Sequence, residues 1–238
     1  MDDFSITDRR LTTALEQLRV VNRFLGGYDT TMALLAPWLR AQSRDRPLRI
    51  LDLGTGIADF PEYIVRWADR QSPPIDLEIV AIDANPVTVD YARQALAERL
   101  PPTLHAKIRV EVADALDLPY ADNSFDVAMG AMFLHHFAEE RAIAIVKSMQ
   151  RVASSGILIN DLHRHPLAYY GIYFLTRLFR ASEMMQNDGP ISVLRGFQAA
   201  ELQTIGQKAG LSHFSVRWRW PFRWLLSSLV LHEGGSKG

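Results

Sequence analysis

Acidic residues and glycines recur where short apolar runs give way to polar turns. The first such point is Ile50-Leu51-Asp52-Leu53-Gly54-Thr55-Gly56-Ile57-Ala58-Asp59-Phe60. Glycines where a strand turns into a helix let the backbone approach a bound ligand closely, because no Cβ intrudes. The dinucleotide fingerprint needs Gly-x-Gly-x-x-Gly and offers the helix start to a pyrophosphate. Here Ala58 stands near the third glycine, and Asp59 follows it. A carboxylate at that place repels pyrophosphate and suits a cationic amino-acid ligand, a preference that Asp52 strengthens. The second point is Ile79-Val80-Ala81-Ile82-Asp83-Ala84-Asn85. A carboxylate at a strand tip can accept both ribose hydroxyl hydrogens, although Asp83 or Asn85 before Pro86 could equally cap a helix. The third is Val112-Ala113-Asp114-Ala115, where an acid serves either a ligand or the turn itself.

Two histidine pairs come next. His135 and His136 follow Gly130-Ala131-Met132-Phe133-Leu134, and His163 and His165 lie in Asn160-Asp161-Leu162-His163-Arg164-His165. Imidazole titrates near neutrality, so a histidine can remove a hydroxyl proton as that oxygen attacks. His135 and His163 are therefore the candidate catalytic bases, and either His135 or His136 could instead cap or pack a helix. His163 and His165 also have a spacing open to a metal, but no further ligand cluster supports one, and none is expected. The chain lacks cysteine, which excludes disulfides, thiolate metal sites and a cysteine nucleophile.

These residues need elements to position them. Apolar β runs at Arg49–Leu53, Glu78–Ile82, Lys107–Val112, Phe125–Met129 and Ser155–Asn160 alternate with helical patterns at Phe60–Arg70, Pro86–Leu100 and Glu139–Val152. Such alternation predicts a parallel sheet with helices on both faces, and its ligands bind beyond the carboxyl ends of the strands. Before Leu48 the spacing of Leu11, Ala14, Leu15, Leu18 and Val21 predicts a helix broken at Gly26-Gly27, with another after Asp29-Thr30. The stretch Asp161–Arg195 is an aromatic helical insertion, with Met184-Met185 near its middle. A helix over Phe197–Ala209 and strands over His213–Trp220 and Arg223–Leu231 follow. Alternation in a strand puts the arginines and tryptophans of Arg217-Trp218-Arg219-Trp220 on opposite faces, which favours a half-buried strand over a nucleic-acid patch.

Asp52-x-Gly54-x-Gly56 after the first strand resembles motif I of the class I S-adenosylmethionine-dependent methyltransferases, and the approach to the fourth strand, Leu118 to Asp126, resembles that family as well. The resemblance covers about Leu48 to Leu231. It implies an α/β, Rossmann-like, seven-stranded, mostly parallel sheet with N-terminal helices and a helical insertion after the fifth strand. It also implies S-adenosylmethionine as cofactor. The methionine part would lie against Asp52, Gly54, Thr55 and Gly56, the ribose against Asp83 with Ala84, and the adenine against Asp114 and the N–H of Ala115, with Ala131 beside the cofactor. The fourth strand lacks the Asn-Pro-Pro-Tyr pattern of nucleobase and some protein amino-methyltransferases, and the Leu134-His135 segment is similar to small-molecule enzymes. The Asn22–Tyr28 segment is similar to bacterial methyltransferases of secondary metabolism and quinone biosynthesis, with Arg23 or Tyr28 near the cofactor.

The expected organisation is an N-terminal helical cap over residues 1–47 and a methyltransferase domain over 48–238, with a lid at about 161–195. The expected reaction moves a methyl group to a hydroxyl of a small aromatic or polyketide-like acceptor. Methylation of nitrogen or carbon, or binding of the cofactor without transfer, are the alternatives. At 238 residues and a net charge of −1, the chain holds one domain with a modest addition and has no general attraction to nucleic acid. The apolar stretches Pro166–Phe179 and Trp224–Leu231 are too short to span a membrane. The start of the chain has no basic, apolar leader pattern. A cytoplasmic protein is expected, with an oligomer left open.

Overall fold

The computed structural model describes residues 27–179 and 181–229. The expected helix over Leu11–Val21 and the position of Arg23 lie outside them. The first described helix, α1 (Gly27–Ala41), precedes β1 (Leu48–Leu53), α2 (Asp59–Asp69), β2 (Leu77–Asp83), α3 (Pro86–Arg99), the short α4 (Pro102–His105) and β3 (Ile108–Val112). Then come β4 (Phe125–Ala131), a 3₁₀ turn (Leu134–His136), α5 (Glu139–Val152) and β5 (Ala153–Leu162). Two further helices, α6 (Pro166–Leu178) and α7 (Glu183–Arg195), precede α8 (Ala199–Lys208), β6 (Ser215–Arg219) and β7 (Arg223–Ser227).

The seven strands form one sheet in the order β3-β2-β1-β4-β5-β7-β6. All pairings are parallel except those of β7, which runs antiparallel between β5 and β6. This is the Rossmann-like architecture that the alternation of elements predicts. Along β1, Leu48 and Ile50 face the layer of α1, α2 and α3, while Leu51 and Leu53 face that of α5 and α8. A strand buried on both faces must be apolar at successive positions, and β1 is interrupted only by the exposed Arg49 and by Asp52 near its carboxyl end. Chain order reverses across β1 and β4, so the crevice beyond their carboxyl ends is the ligand-binding switch point.

Several boundaries differ from those read in the sequence, each for a local reason. β5 begins at Ala153, directly where α5 ends, with no turn residue to announce the change. α8 begins at Ala199, not Phe197, because Phe197 bridges to His163 and Gln198 forms a capping box with Glu201. β6 is an edge strand. Arg217 is exposed, but Trp218 is also 43% exposed, so this strand is more open than a half-buried one. Among the described residues no helix is long and apolar enough to cross a membrane.

Candidate active site

The turn after β1 is built on backbone that disfavours side chains. Gly54 has φ +65° and Gly56 φ +56°. Ala58, also left-handed at φ +54°, caps α2 without a side-chain hydrogen bond. The two glycines serve different ends. A Cβ on Gly54 would lie 2.1 Å from Cδ2 of Phe133, whose ring fills that space, whereas a Cβ on Gly56 would meet nothing within 4 Å. Gly56 is therefore the place where the backbone is open to a ligand.

Carboxylates ring this turn. Asp52 is 3% exposed and accepts the Thr55 hydroxyl at 2.7 Å. Burial pushes its carboxyl up to about 7, with Thr55 opposing and the charges of Asp59 and Asp83 adding. Such a group takes a cation readily, because a positive charge offsets the cost of ionising there. Asp83 accepts the Gly56 N–H at 3.1 Å through one oxygen and the Asn85 N–H at 2.9 Å through the other. Burial raises its carboxyl above the ordinary value, and those two donors pull it back. Each oxygen has a second lone pair, suited to a ribose hydroxyl. The cap of α3 is supplied by Asn85, which accepts from Val87 N and Thr88 N. Asp83 is thus not spent on starting the helix.

Asp114 is exposed beyond β3, and its Oδ1 accepts the Leu116 N–H at 2.9 Å, while Ala115 is buried against the sheet. Ala84 is exposed beside Asp83. From α1, the Tyr28 hydroxyl donates to Asp59, and its ring stacks on Phe60 at 5.2 Å. A cavity of about 30 Å³ lies between Gly27, Tyr28, Asp52, Asp59, Phe60, Ala131 and Met132. Asn160, fully buried at the end of β5, ties α1 to this edge by donating to the Gly27 carbonyl at 2.7 Å and to Thr31 at 3.2 Å. These residues suit the cofactor in chemistry: open backbone at Gly56 and carboxylates with spare acceptor capacity at Asp52 and Asp83.

The second half of the site is an apolar cavity of about 270 Å³ under α6 and α7, walled by Leu162, Leu167, Ile172, Leu175, Met185 and Val193 among others. His135, His136, Asp188 and Arg223 reach it as well, and Met132 belongs to both cavities. His135 is buried, with Nδ1 2.7 Å from Oδ1 of Asp161. Its backbone N–H donates to Oδ2 of the same carboxylate at 3.1 Å. Its Nε2 is buried and has no hydrogen-bond partner among the described residues. Asp161 is fully buried. Burial favours its neutral form, yet His135 and the N–H groups of Leu162 and His135 hold the carboxyl below its ordinary value. An ionised Asp161 places the proton on Nδ1 of neutral His135, which leaves Nε2 as the basic nitrogen.

His163 is set apart from this dyad. Its Nδ1 accepts from Trp218 Nε1 at 3.2 Å, its ring packs against Trp224 at 5.0 Å, and it is absent from the cavity walls. Burial and His165 hold its imidazole below the ordinary value, against a hydrogen bond with Gln198. Among the described residues no group of three or more His, Asp or Glu side chains is placed to hold a metal ion. Sequence reasoning missed Asp161, Arg223, Met132 and Phe133. An acid at the carboxyl tip of β5 was the available signal for Asp161.

Residues 50–156 match the sequence model of the methyltransferase domain family. Among curated proteins, the chain is 28% identical over 122 residues to ajmaline N-methyltransferase of Rauvolfia serpentina, covering 50% of this chain and 38% of that one. It is 28% identical over 169 residues to demethylmenaquinone methyltransferase of Roseiflexus sp. strain RS-1, covering 66% of this chain and 65% of that one. In both cases the match spans less than two thirds of the relative's length. Among solved structures, a SAM-dependent methyltransferase from Aquifex aeolicus superposes with a TM-score of 0.60 at 17% identity, covering 90% of this chain and 95% of that one. Residues 50–156 thus match the methyltransferase domain family, within a chain whose fold is the Rossmann-like one of the solved methyltransferase.

Proposed function

We propose that this protein transfers a methyl group from S-adenosylmethionine to a hydroxyl oxygen of a small, largely apolar aromatic or polyketide-like molecule. The observation that carries this reading is the buried His135–Asp161 pair at the wall of the large cavity, with Nε2 of His135 unpartnered among the described residues. Methylation of a hydroxyl needs a group to take its proton, and a neutral imidazole oriented by a carboxylate does so. When bound, the cofactor supplies an electrophilic methyl group on a sulfonium.

In this reading Asp52 and the Gly54–Gly56 turn hold the amino-acid portion, Asp83 the ribose, and Asp114 with Ala115 the adenine. Ala131 and Met132 lie between that portion and the acceptor. α6 and α7 close the acceptor cavity as a lid, and α1 caps the cofactor side. His163, outside the cavity, supports the Trp218–Trp224 cluster. The experiment is a screen of phenolic and polyketide hydroxyl compounds with cofactor labelled in its methyl carbon. O-methylated product is the expected outcome. Transfer confined to amines or carbon centres, or cofactor binding with no transfer, would overturn the hydroxyl reading.

A further inference from the structure

We propose that the outer face of α6, together with the β6–β7 turn, docks on the surface of an anionic lipid bilayer, with the mouth of the large cavity turned toward the lipid. α6 carries a single charged side chain, Arg177, in its 13 residues. Leu167, Ala168, Gly171, Ile172 and Leu175 line the cavity. Tyr170, Phe174 and Leu178 recur at every fourth position and so share another face, where they are 56%, 64% and 74% exposed. A helix that is apolar all round is ordinarily covered all round. Here one side of the helix meets the cavity, and another stands exposed.

That exposure is concentrated. Among the described residues, every large hydrophobic side chain that stands exposed lies between Leu167 and Leu194 or at Trp218 and Trp220, apart from Val112. Single exposed apolar residues are ordinary, whereas a cluster marks an interaction surface. The rings of Trp218 and Trp220 are centred 6.4 Å apart. Leu167, Leu175 and Trp220 are exposed and also wall the cavity, so this face rims its mouth. Indole and phenol rings, apolar in body and polar at one end, are the side chains that sit at the headgroup level of a bilayer.

The charge around the face selects the partner. Arg177 stands over the Tyr173 ring at 3.5 Å, and Arg217 and Arg219 flank Trp218 on β6. Among the described residues no carboxylate pairs with any of these three. α7 adds exposed Glu183 and Arg195 at its two ends, and its Asp188 lies on the cavity side. The face is thus basic, although the chain as a whole carries −1. A second copy of the chain is a poor occupant, because an isologous contact sets a patch against itself and brings these arginines together. Anionic headgroups supply the opposite charge, and the hydrocarbon beneath them takes Phe174 and Leu178. Docking is independent of which atom is methylated, so its test needs no turnover.

The probe is a vesicle of phosphatidylcholine mixed with phosphatidylglycerol, compared with one of phosphatidylcholine alone. The full chain should float with the mixed vesicles, bind them at least about tenfold more tightly than the neutral ones, and let go as salt is raised. Phe174→Gln with Leu178→Gln, and separately Arg217→Gln with Arg219→Gln, should each weaken that binding by about tenfold or more. All four positions lie outside both cavities, so the affinity of these variants for S-adenosylmethionine should equal the parent's and attest their folding. Should a variant fail to fold, the unaltered protein carries the test. Lipid brominated in its acyl chains should quench the tryptophan emission, because Trp218 and Trp220 belong to the docked face. Absence of flotation, binding unchanged in either folded double variant, or flotation without quenching overturns the proposal. Self-association that Phe174→Gln with Leu178→Gln abolishes, without vesicle binding, gives the face to a second copy and overturns it too.

Discussion

The imidazole of His135 and the carboxylate of Asp161 are bonded Nδ1 to Oδ1 at 2.7 Å, and both side chains are withdrawn from solvent. The same carboxylate takes the backbone N–H of His135, so ring and main chain are fixed by one group. His135→Ala should therefore lower kcat by about 10² or more, the usual scale of general-base assistance, while cofactor affinity stays nearly unchanged. Asp161→Asn should lower kcat as well, because an amide can present an N–H to the ring and favour the other tautomer. His163→Ala should leave turnover within a few-fold of the parent, since that ring faces Trp218 and Trp224. Steady-state rates and calorimetric cofactor titrations on the three variants check this; a large loss in the His163 variant alone would reverse the assignment.

Asp83 should be required for the cofactor. Its loss removes hydrogen bonds between a charged acceptor and ribose hydroxyls, so Asp83→Ala should weaken S-adenosylmethionine binding by more than ~1.5 kcal/mol. Because Asn85 caps α3, the helix should survive the change. Unaltered affinity in the folded variant would remove Asp83 from the site.

Asp52 gives the protein a pH signature. In the unfolded chain it ionises at its ordinary value, and in the folded protein only at about 7. Between those values the folded state holds a proton that the unfolded state has released. The contribution of this group to stability therefore falls as pH rises through the window and levels off above it. Urea unfolding from about pH 5 to about pH 8 should show this slope, and Asp52→Asn should flatten it. Cofactor affinity should move the other way, rising through the same window, because a cation favours the ionised carboxylate. A slope unchanged in the Asn variant would assign the titration elsewhere.

The two glycines of the turn should separate on substitution. Gly54→Ala sets a methyl group against the Phe133 ring at a positive φ and should cost roughly 2–4 kcal/mol of folding stability. Gly56→Ala meets no atom within 4 Å and should cost only ~1–2 kcal/mol from its backbone conformation. Adding Phe133→Ala to the Gly54 variant should recover part of the loss, measured by chemical denaturation. Equal costs at the two glycines would contradict the packing described.

The fold was legible because its signals are local. β1, β2 and β4 are apolar apart from Arg49, Asp52, Glu78, Asp83 and Asp126, and the acids near the ends of β1 and β2, Asp52 and Asp83, mark the carboxyl edge of the sheet. The glycine turn was legible for the same reason. The acceptor half of the site was not, since His135 meets Asp161 only through the pairing of β4 with β5, and Arg223 arrives on an antiparallel strand almost ninety residues later. Nothing in the spacing of residues 132, 135, 161 and 223 marks them as neighbours. His163 was singled out for lying just past β5, but residues alternate sides there. Leu162 enters the cavity wall, and His163 turns to the tryptophans.

The walls of the larger cavity come largely from α6 and α7, and no residue of either helix lines the smaller one. His135 sits on the turn after β4, Asp161 near the end of β5, and Arg223 at the start of β7. The two-helix segment between β5 and α8 thus walls one cavity and leaves the other untouched. Because α7 also packs against the turn that carries His135, a foreign α6–α7 pair would change the shape of the larger cavity and the setting of that histidine together, while leaving the glycine turn after β1 alone.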